Sequence, residues 1–384
     1  MVGPNRGLLL VTLTLALFAS VLASAALAAP LADSAILLIG DGMGPAQIAL
    51  ARQAGGGAPL TIETMPLSGL ATTRSADRAV TDSAAAGTAL ATGHKTNNGM
   101  ISVAPDGRRL ATILERCQAM YKATGIITTD ALHGATPAVF ASHAESRGKR
   151  SGIALQMAES RVPVMMGFWK GWFLPKSEGG EREDGRDLIS KLRRDGYAVA
   201  FTREQLADAS GPRLVGLFDD GAHAPSLAEM TTAALQRLGT SANGFFLMVE
   251  GARIDWECHA HDAAGAVLDT WEFDQAVAVA LDYARQRGRT PVVVTADHET
   301  GGLIVEDPER LRQLGRNQPD PRKAAVASLS TDQTGLKWTT TGHTATPVRV
   351  FASGPGAARF AGDMDNTDIP KRIAEILGIV PFPQ

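Results

Sequence analysis

Aspartates and histidines accumulate where apolar runs give way to glycine or polar residues. Ile36-Leu37-Leu38-Ile39 runs into Gly40-Asp41-Gly42-Met43-Gly44. Phe245-Phe246-Leu247-Met248-Val249 ends in Glu250, with Asp255 and His259 shortly after. Pro291-Val292-Val293-Val294-Thr295 leads into Ala296-Asp297-His298, and Thr341-Gly342-His343-Thr344 precedes the last strongly apolar run. If a helix begins near Asp255, that aspartate and His259 lie one turn apart on one face. Oxygen and nitrogen donors without thiolates suit zinc, and a catalytic site more than a structural one. An Asp-His pair after a very apolar strand is costly to bury unless its charge is compensated, and a cation is the simplest compensation. Taken singly, each feature has an ordinary explanation: a turn aspartate, a solvated helix face, an Asp–His hydrogen bond, an incidental histidine. Their accumulation at successive strand ends is what argues for a metal centre.

A nucleophile is offered by Thr81-Asp82-Ser83-Ala84-Ala85-Ala86-Gly87-Thr88-Ala89-Leu90-Ala91-Thr92-Gly93. The alanines are strong helix formers, Asp82 suits the N-cap, and Gly93 suits a stop just past the last turn. Ser83 then stands at a helix N-terminus, where unpaired amides and the dipole favour an alkoxide or a bound phosphate. On local grounds alone, a first-turn serine without chemistry is the stronger reading.

Holding such groups in place requires rigid strand ends. Apolar or β-branched runs at 35–39, 125–128, 245–249, 291–295 and 348–351 predict buried strands. Helical patterns at 84–91, 110–120, 227–238, 263–285 and 369–377 alternate with them. That alternation predicts an α/β fold, a mostly parallel central sheet with helices on both faces. In such sheets reactive groups gather at the carboxyl ends of the strands. Segment 167–186, rich in glycine, aromatic and charged residues, and segment 306–338, polar and without period, read as surface insertions on a single domain spanning 29–384.

The chain has 384 residues, 45% hydrophobic and 20% charged, enough to bury a sizeable core. Its net charge of −3 leaves no basic excess to neutralise phosphates, so no nucleic-acid partner is expected. Residues 1–28 read as a signal peptide: Arg6 supplies the positive region, an apolar run follows, and Ala26-Leu27-Ala28 offers a small-x-small cleavage pattern. This predicts an exported protein, periplasmic or secreted; an uncleaved membrane anchor is the competing reading. Export permits a disulfide between Cys117 and Cys258, although two buried thiols fit at least as well. Cys258 adjoins His259, but neighbours on a helix point different ways, so the thiol is not expected to be a ligand. His94, His143, His223 and His261 read as packing or surface residues.

Together, Asp41-Gly42-Met43-Gly44, Thr81-Asp82-Ser83-Ala84-Ala85, Ala135-Thr136-Pro137-Ala138, Val249-Glu250-Gly251-Ala252, Thr295-Ala296-Asp297-His298 and Gly342-His343-Thr344 resemble the alkaline phosphatase family in order and spacing. The resemblance implies a hydrolase of small-molecule phosphate monoesters that uses two zinc ions and one magnesium ion. One zinc would be held by Asp255, His259 and His343. The second would be held by Asp41, Asp297 and His298, with the Ser83 oxygen as a further ligand. Magnesium would use Asp41, Thr136 and Glu250, with waters completing the octahedron. Arg147 falls where the family keeps the arginine whose planar fork grips phosphate. The resemblance also implies a phosphoserine intermediate at Ser83, later cleaved by water, and a homodimer.

Three positions depart from common family patterns. Gly134, preceded by His133, stands where the family often has Asp or His helping to organise the third site, so either His133 reaches in or a water fills the gap. Trp256 stands where Lys or His is common, and Thr300 where many members have His. The changes at Gly134 and Trp256 remove polar groups from the outer shell of the metals, and Thr300 is expected to weaken the outer shell of one zinc site. The alternative function is a phosphodiesterase or phosphonate hydrolase on the same two-zinc core; Thr136, Glu250 and Arg147 favour the monoesterase. A noncatalytic phosphate- or metal-binding protein would be expected to have lost Ser83 or a ligand, and none is missing.

Overall fold

The five apolar runs form strands, and five further strands extend them into a ten-stranded sheet. The computed structural model describes residues 30–383 apart from 315, 317 and 319. The strands of this sheet are β1 (Ala35–Gly40), β2 (Leu67–Thr72), β3 (Ala123–Ala131), β4 (Val164–Phe168), β5 (Ala198–Ala200), β6 (Leu214–Phe218), β7 (Phe245–Gly251), β8 (Val292–Thr295), β9 (Val348–Ser353) and β10 (Gly362–Asp365). The spatial order is β10-β2-β9-β8-β1-β7-β3-β4-β6-β5. Among these strands only β9 is reversed, pairing antiparallel with both β8 and β2. All other neighbours are parallel.

Every residue of β1, β7 and β8 is buried. Their near-continuous Ile, Leu, Val and Phe are what a parallel strand needs when both of its faces are covered. The cover includes helices α1 (Pro45–Ala54), α2 (Ser83–Thr92), α3 (Ala135–Ala141), α4 (Leu227–Leu238), α5 (Arg253–His259) and α6 (Ala263–Arg287). The long α6 packs against α1, α4 and α5. Asp262 caps α6 by accepting from the Ala264 and Gly265 amides, and Gly288 ends it in a left-handed conformation. Ser226 and Glu229 form a capping box at the start of α4.

These elements all belong to the contact unit Leu31–Gln384. The expected signal segment, 1–28, lies outside the described residues. Among the described residues no helix is long and apolar enough to cross a membrane. Cys117 and Cys258 are free and buried, so the disulfide alternative falls away. Burial pushes the Cys117 thiol up to about 12 and raises that of Cys258 as well.

Segment 167–186 is more deeply built in than a surface insertion. Gly167 and Phe168 finish β4, and the Arg182 side chain is fully buried. Its guanidinium pairs with Asp184 at 2.5 Å and donates to the carbonyls of Ser151 (2.8 Å) and Trp172 (3.2 Å). The charged residues that suggested a solvated loop include this internal strut. Segment 306–338 carries two helices, Pro308–Gln313 and Pro321–Leu329, whose Leu311, Ala325 and Leu329 are buried.

Removing the strut takes one donor from each of two carbonyls and a cation from Asp184. Arg182→Ala is therefore expected to destabilise the protein by about 2–4 kcal/mol, read as a shift in a urea unfolding midpoint. A change below about 0.5 kcal/mol, typical of a surface site, would return the segment to the status of a loose insertion.

Candidate active site

Strand order brings the acids together. The sequence β8-β1-β7 sets three parallel ends side by side, with Ile39 opposite both Glu250 and Thr295. Asp41 follows β1, Glu250 ends β7, and Asp297 with His298 follows β8. The chain then turns tightly at Gly42, whose φ is +72°. A Cβ there would meet the Asp255 Cα at 2.8 Å, so glycine is required both for the backbone angle and for the approach of α5. The Gly42 amide donates to Asp297 Oδ1 at 3.2 Å.

Helix α5 carries Asp255 and His259 one turn apart, and their side chains meet at 3.2 Å. His343 comes from a loop but is not loosely held. It sits opposite Thr300 in a two-residue antiparallel ladder, with Thr344 opposite Glu299. Glu299 anchors that ladder by accepting from Thr344, from Gln47 at 3.0 Å and from the Leu303 amide at 3.2 Å. Its carboxylate is thus occupied by hydrogen bonds.

Two triads result, Asp255–His259–His343 and Asp41–Asp297–His298, each with one donor atom per residue inside 4.8 Å. The rings of His298 and His343 stack at 3.6 Å between centroids, so the triads adjoin. All three histidines are oriented alike. His259 Nδ1 lies 2.5 Å from the Thr341 carbonyl and His343 Nδ1 lies 2.9 Å from the Thr81 carbonyl. A carbonyl only accepts, so each Nδ1 carries a proton and each Nε2 is the ring atom turned toward the triads. For His298, Thr300 is the relay: its hydroxyl donates to Asp255 Oδ1 at 2.5 Å and lies 3.2 Å from His298 Nδ1. The Nε2 atoms of His259 and His343 face one another at 3.2 Å, and that of His259 also lies 3.2 Å from Asp255 Oδ2. Two lone pairs at that distance repel unless a proton or a cation lies between them.

The carboxylates make the same demand. Burial first, and then the charges of Asp297, Asp255 and Glu250, raise Asp41 well above the usual carboxylate range. Burial and Asp255 push Asp297 up to about 7. Burial and Asp130 push Glu250 up to about 8. Burial works against Asp255 too, but hydrogen bonds from His259 and Thr300 and the nearby His298 hold it near 2. His298 is lowered to about 4 by burial, while its hydrogen bond to Asp255 lifts His259 to about 9. The buried oxygens Asp41 Oδ1, Asp297 Oδ2 and Thr136 Oγ1 have no hydrogen-bond partner. Uncompensated acids, oxygens without donors and ring nitrogens turned inward form a donor set that fits divalent cations.

Ser83 opens α2, and its Oγ lies 3.3 Å from His298 Nε2. Asp82 caps the helix as expected, accepting from the Ala85 amide at 3.0 Å, and Gly93 stops it at φ +71°. The same carboxylate accepts from the Gly99 amide and from Arg147 Nη1 at 3.3 Å, so Arg147 is held beside the serine. Arg147 also lines a cleft of about 450 Å³ with Asp130, His133, Gly134, Trp169, Trp172 and Trp256. A larger cavity of about 930 Å³ beside Arg253 contains none of the ligand residues.

His133 does not reach inward. It packs edge-on against Trp172, with ring centroids 6.2 Å apart. The space beside Gly134 is taken instead by the Asp130 carboxylate, which sequence reasoning passed over. Trp256 stacks flat on Trp169 at 5.4 Å. Among the remaining histidines, His143 bonds the Ser102 carbonyl and Glu115, and His261 stacks on Trp338. Neither belongs to a triad. Cys258 lies 3.6 Å from the Gln47 amide nitrogen and belongs to no triad either.

The family model for alkaline phosphatase matches residues 32–324 and 306–379. Alkaline phosphatase 4 of Bacillus subtilis is 32% identical, over 89% of this chain and 88% of its own. Streptomycin-6-phosphate phosphatase of Streptomyces griseus is 36% identical, over 91% of each chain. A mutant of the alkaline phosphatase from the Antarctic bacterium TAB5, solved with Mg bound in its M3 site, superposes with a TM-score of 0.77 at 31% identity, covering 92% of this chain and 99% of that one. The fold and site define a phosphoric monoester hydrolase of the α/β class. The chain belongs to the alkaline phosphatase family.

Stripping metal should expose the acid cluster as a pH-dependent liability. Asp41, Asp297, Glu250 and His259 all have raised folded-state values, so the stability linked to each is present below its unfolded pKa and is lost as pH rises. His298 and His343 are lowered and act in the opposite sense, but their contribution is complete by about pH 7.5. The melting temperature of chelated protein is therefore expected to fall between about pH 7.5 and 9, and returning zinc should flatten the slope. A metal-free melting temperature that rises over that window would contradict this account of the site.

Proposed function

We propose that this phosphatase transfers the phosphoryl group of a monoester to Ser83, at a centre holding two zinc ions and one magnesium ion. Asp255, His259 and His343 would hold one zinc, and Asp41, Asp297 and His298 the other. Asp41, Thr136 and Glu250 would hold magnesium. The observation that carries the reading is the pair of adjoining triads, their Nε2 atoms turned inward, beside a serine at a helix N-terminus. When bound, the cations would lower the pKa of the attacking hydroxyl and neutralise charge on the departing oxygen.

The chain's own residues do the rest. Ser83 presents its oxygen from the first turn of α2, where backbone amides and the dipole favour negative charge. His298 Nε2, 3.3 Å from that oxygen, is the atom that would hold the cation beside it, and Thr300 fixes its tautomer. Arg147 offers two parallel N–H groups to nonbridging phosphate oxygens from beside the helix start. Water then cleaves the phosphoserine from the side the leaving group vacated, and two inversions give retention at phosphorus. Export through a cleaved segment 1–28, a single catalytic domain over 29–384, and a homodimer complete the proposal.

Ser83→Ala is expected to lower kcat/KM for p-nitrophenyl phosphate by roughly three orders of magnitude or more while leaving the zinc content at two per chain. No radiolabelled phosphoenzyme should form in the variant. Near-parental turnover in Ser83→Ala would remove the serine from the mechanism.

Arg147→Ala should raise KM for the monoester about 10- to 100-fold, the loss of a charge-assisted hydrogen-bond pair. The parent protein should prefer p-nitrophenyl phosphate to bis-p-nitrophenyl phosphate, and chelation should abolish both activities. Preference for the diester would move the chain to the phosphodiesterase reading.

A further inference from the structure

The space beside Gly134 has an occupant that the site as proposed does not use. Gly134 has φ −58° and ψ 165°, angles open to any residue, so glycine is not there for its backbone freedom. What it supplies is room. A Cβ at 134 would lie 2.1 Å from Asp130 Oδ2, 2.9 Å from its Cγ and 2.9 Å from the Ala131 carbonyl oxygen. A larger side chain at 134 and the present position of the Asp130 carboxylate exclude one another.

Asp130 is tied to the third cation site through Thr128. The Thr128 hydroxyl donates to Glu250 Oε2 at 2.5 Å and accepts from the Asp130 amide at 2.8 Å, so one oxygen bridges the two acids. Thr136, whose own Oγ1 is buried without a hydrogen-bond partner, lies two residues beyond Gly134. One Asp130 oxygen, Oδ1, accepts from the Ala131 amide at 2.6 Å. Of the nearby cations, Arg147 pairs with Asp82 and Arg253 with Asp220, while Arg150 lines the same cleft. Oδ2 is left facing the Gly134 gap, in the cleft that Arg147 and Trp256 also line.

We propose that Asp130 is the outer carboxylate of the third cation site: through the gap left by Gly134, its Oδ2 accepts hydrogen bonds from the waters of a magnesium ion held by Asp41, Thr136 and Glu250. The proposal rests on the three-cation reading above. Magnesium keeps several waters when bound by one or two carboxylates, and those waters need acceptors. Partners of this kind typically account for 10- to 100-fold in metal affinity. The chain thus keeps the carboxylate but supplies it from the end of β3 rather than from position 134. Asp130 is a positioning residue; it touches neither the ester nor Ser83.

The test is magnesium titration calorimetry on zinc-loaded protein, with zinc content measured in parallel. Asp130→Asn, which keeps the shape and removes the charge, should weaken Mg²⁺ binding about 10- to 100-fold with two zinc ions per chain retained. Gly134→Ala places a methyl group against Oδ2 and should also weaken it. The double variant should bind Mg²⁺ no more weakly than Asp130→Asn alone, because both changes act through one carboxylate. Parental Mg²⁺ affinity in Asp130→Asn, or strictly additive losses in the double variant, overturns the role of Asp130 and leaves the zinc reading intact. Zinc-loaded parent protein that binds no Mg²⁺ overturns the third site itself, and this proposal with it.

Discussion

Mutual repulsion among buried carboxylates is the constraint on which the rest of the structure depends. Asp41, Asp255, Asp297 and Glu250 are all buried around one small volume. At about 4 Å, two like charges cost about 4 kcal/mol even with an effective dielectric near 20. Nothing in the apolar core needs them there. They are held by the stiffest part of the molecule, the ends of β1, β7 and β8, whose every residue is buried. Parallel pairing brings those ends to one level, and the turn at Gly42 brings α5 against them. The apolar strands supply the binding energy of the fold, and the acids spend part of it as preorganised affinity for cations.

Histidine orientation follows the same logic. A free imidazole can carry its proton on either nitrogen, and only one choice presents a ligand to a metal. Each of the three histidines has Nδ1 set against an acceptor: the Thr341 and Thr81 carbonyls, and the Thr300 hydroxyl. Thr300 stands where the family resemblance led us to expect histidine. Its hydroxyl bonds both Asp255, from one triad, and His298, from the other. A single hydroxyl thus joins the two triads.

How much could be read beforehand depended on the range of the forces involved. Asp41, Asp297-His298 and the Asp255–His259 pair were legible because strand ends and the four-residue helical spacing are local signals. The helix that begins at Ser83, with its Asp82 cap and Gly93 stop, was legible for the same reason. His343 had no local signal, since the ladder that holds it is two residues long and its anchor, Glu299, lies 44 positions earlier in the sequence. Glu250 was visible at a strand end, but its role, like Thr136 and Arg147, came only from the resemblance. Strands β2, β4, β5, β6 and β10 were missed because they are short, or carry Ser, Gly, Met or Asp where a β-branched residue would have marked them. Gly134 was noticed as a loss, but Asp130 was not seen as its counterpart. The two are four residues apart across a turn, and only coordinates show that one side chain fills the space the other vacates.

Asp82 raises an electrostatic question, because a carboxylate beside Ser83, the proposed nucleophile, should repel an incoming phosphate dianion. Its hydrogen bonds answer it. The Asp82 oxygens accept from the Ala85 amide, the Gly99 amide and Arg147 Nη1, so its charge is spread over three donors before an ester arrives. In return it fixes Arg147, whose side chain remains 45% exposed and so open to a ligand. The cap that starts α2 therefore sets the phosphate clamp beside it. One residue couples the local rule that begins a helix to the charge balance of the site, which is why the serine, its helix and the arginine must be considered as a unit.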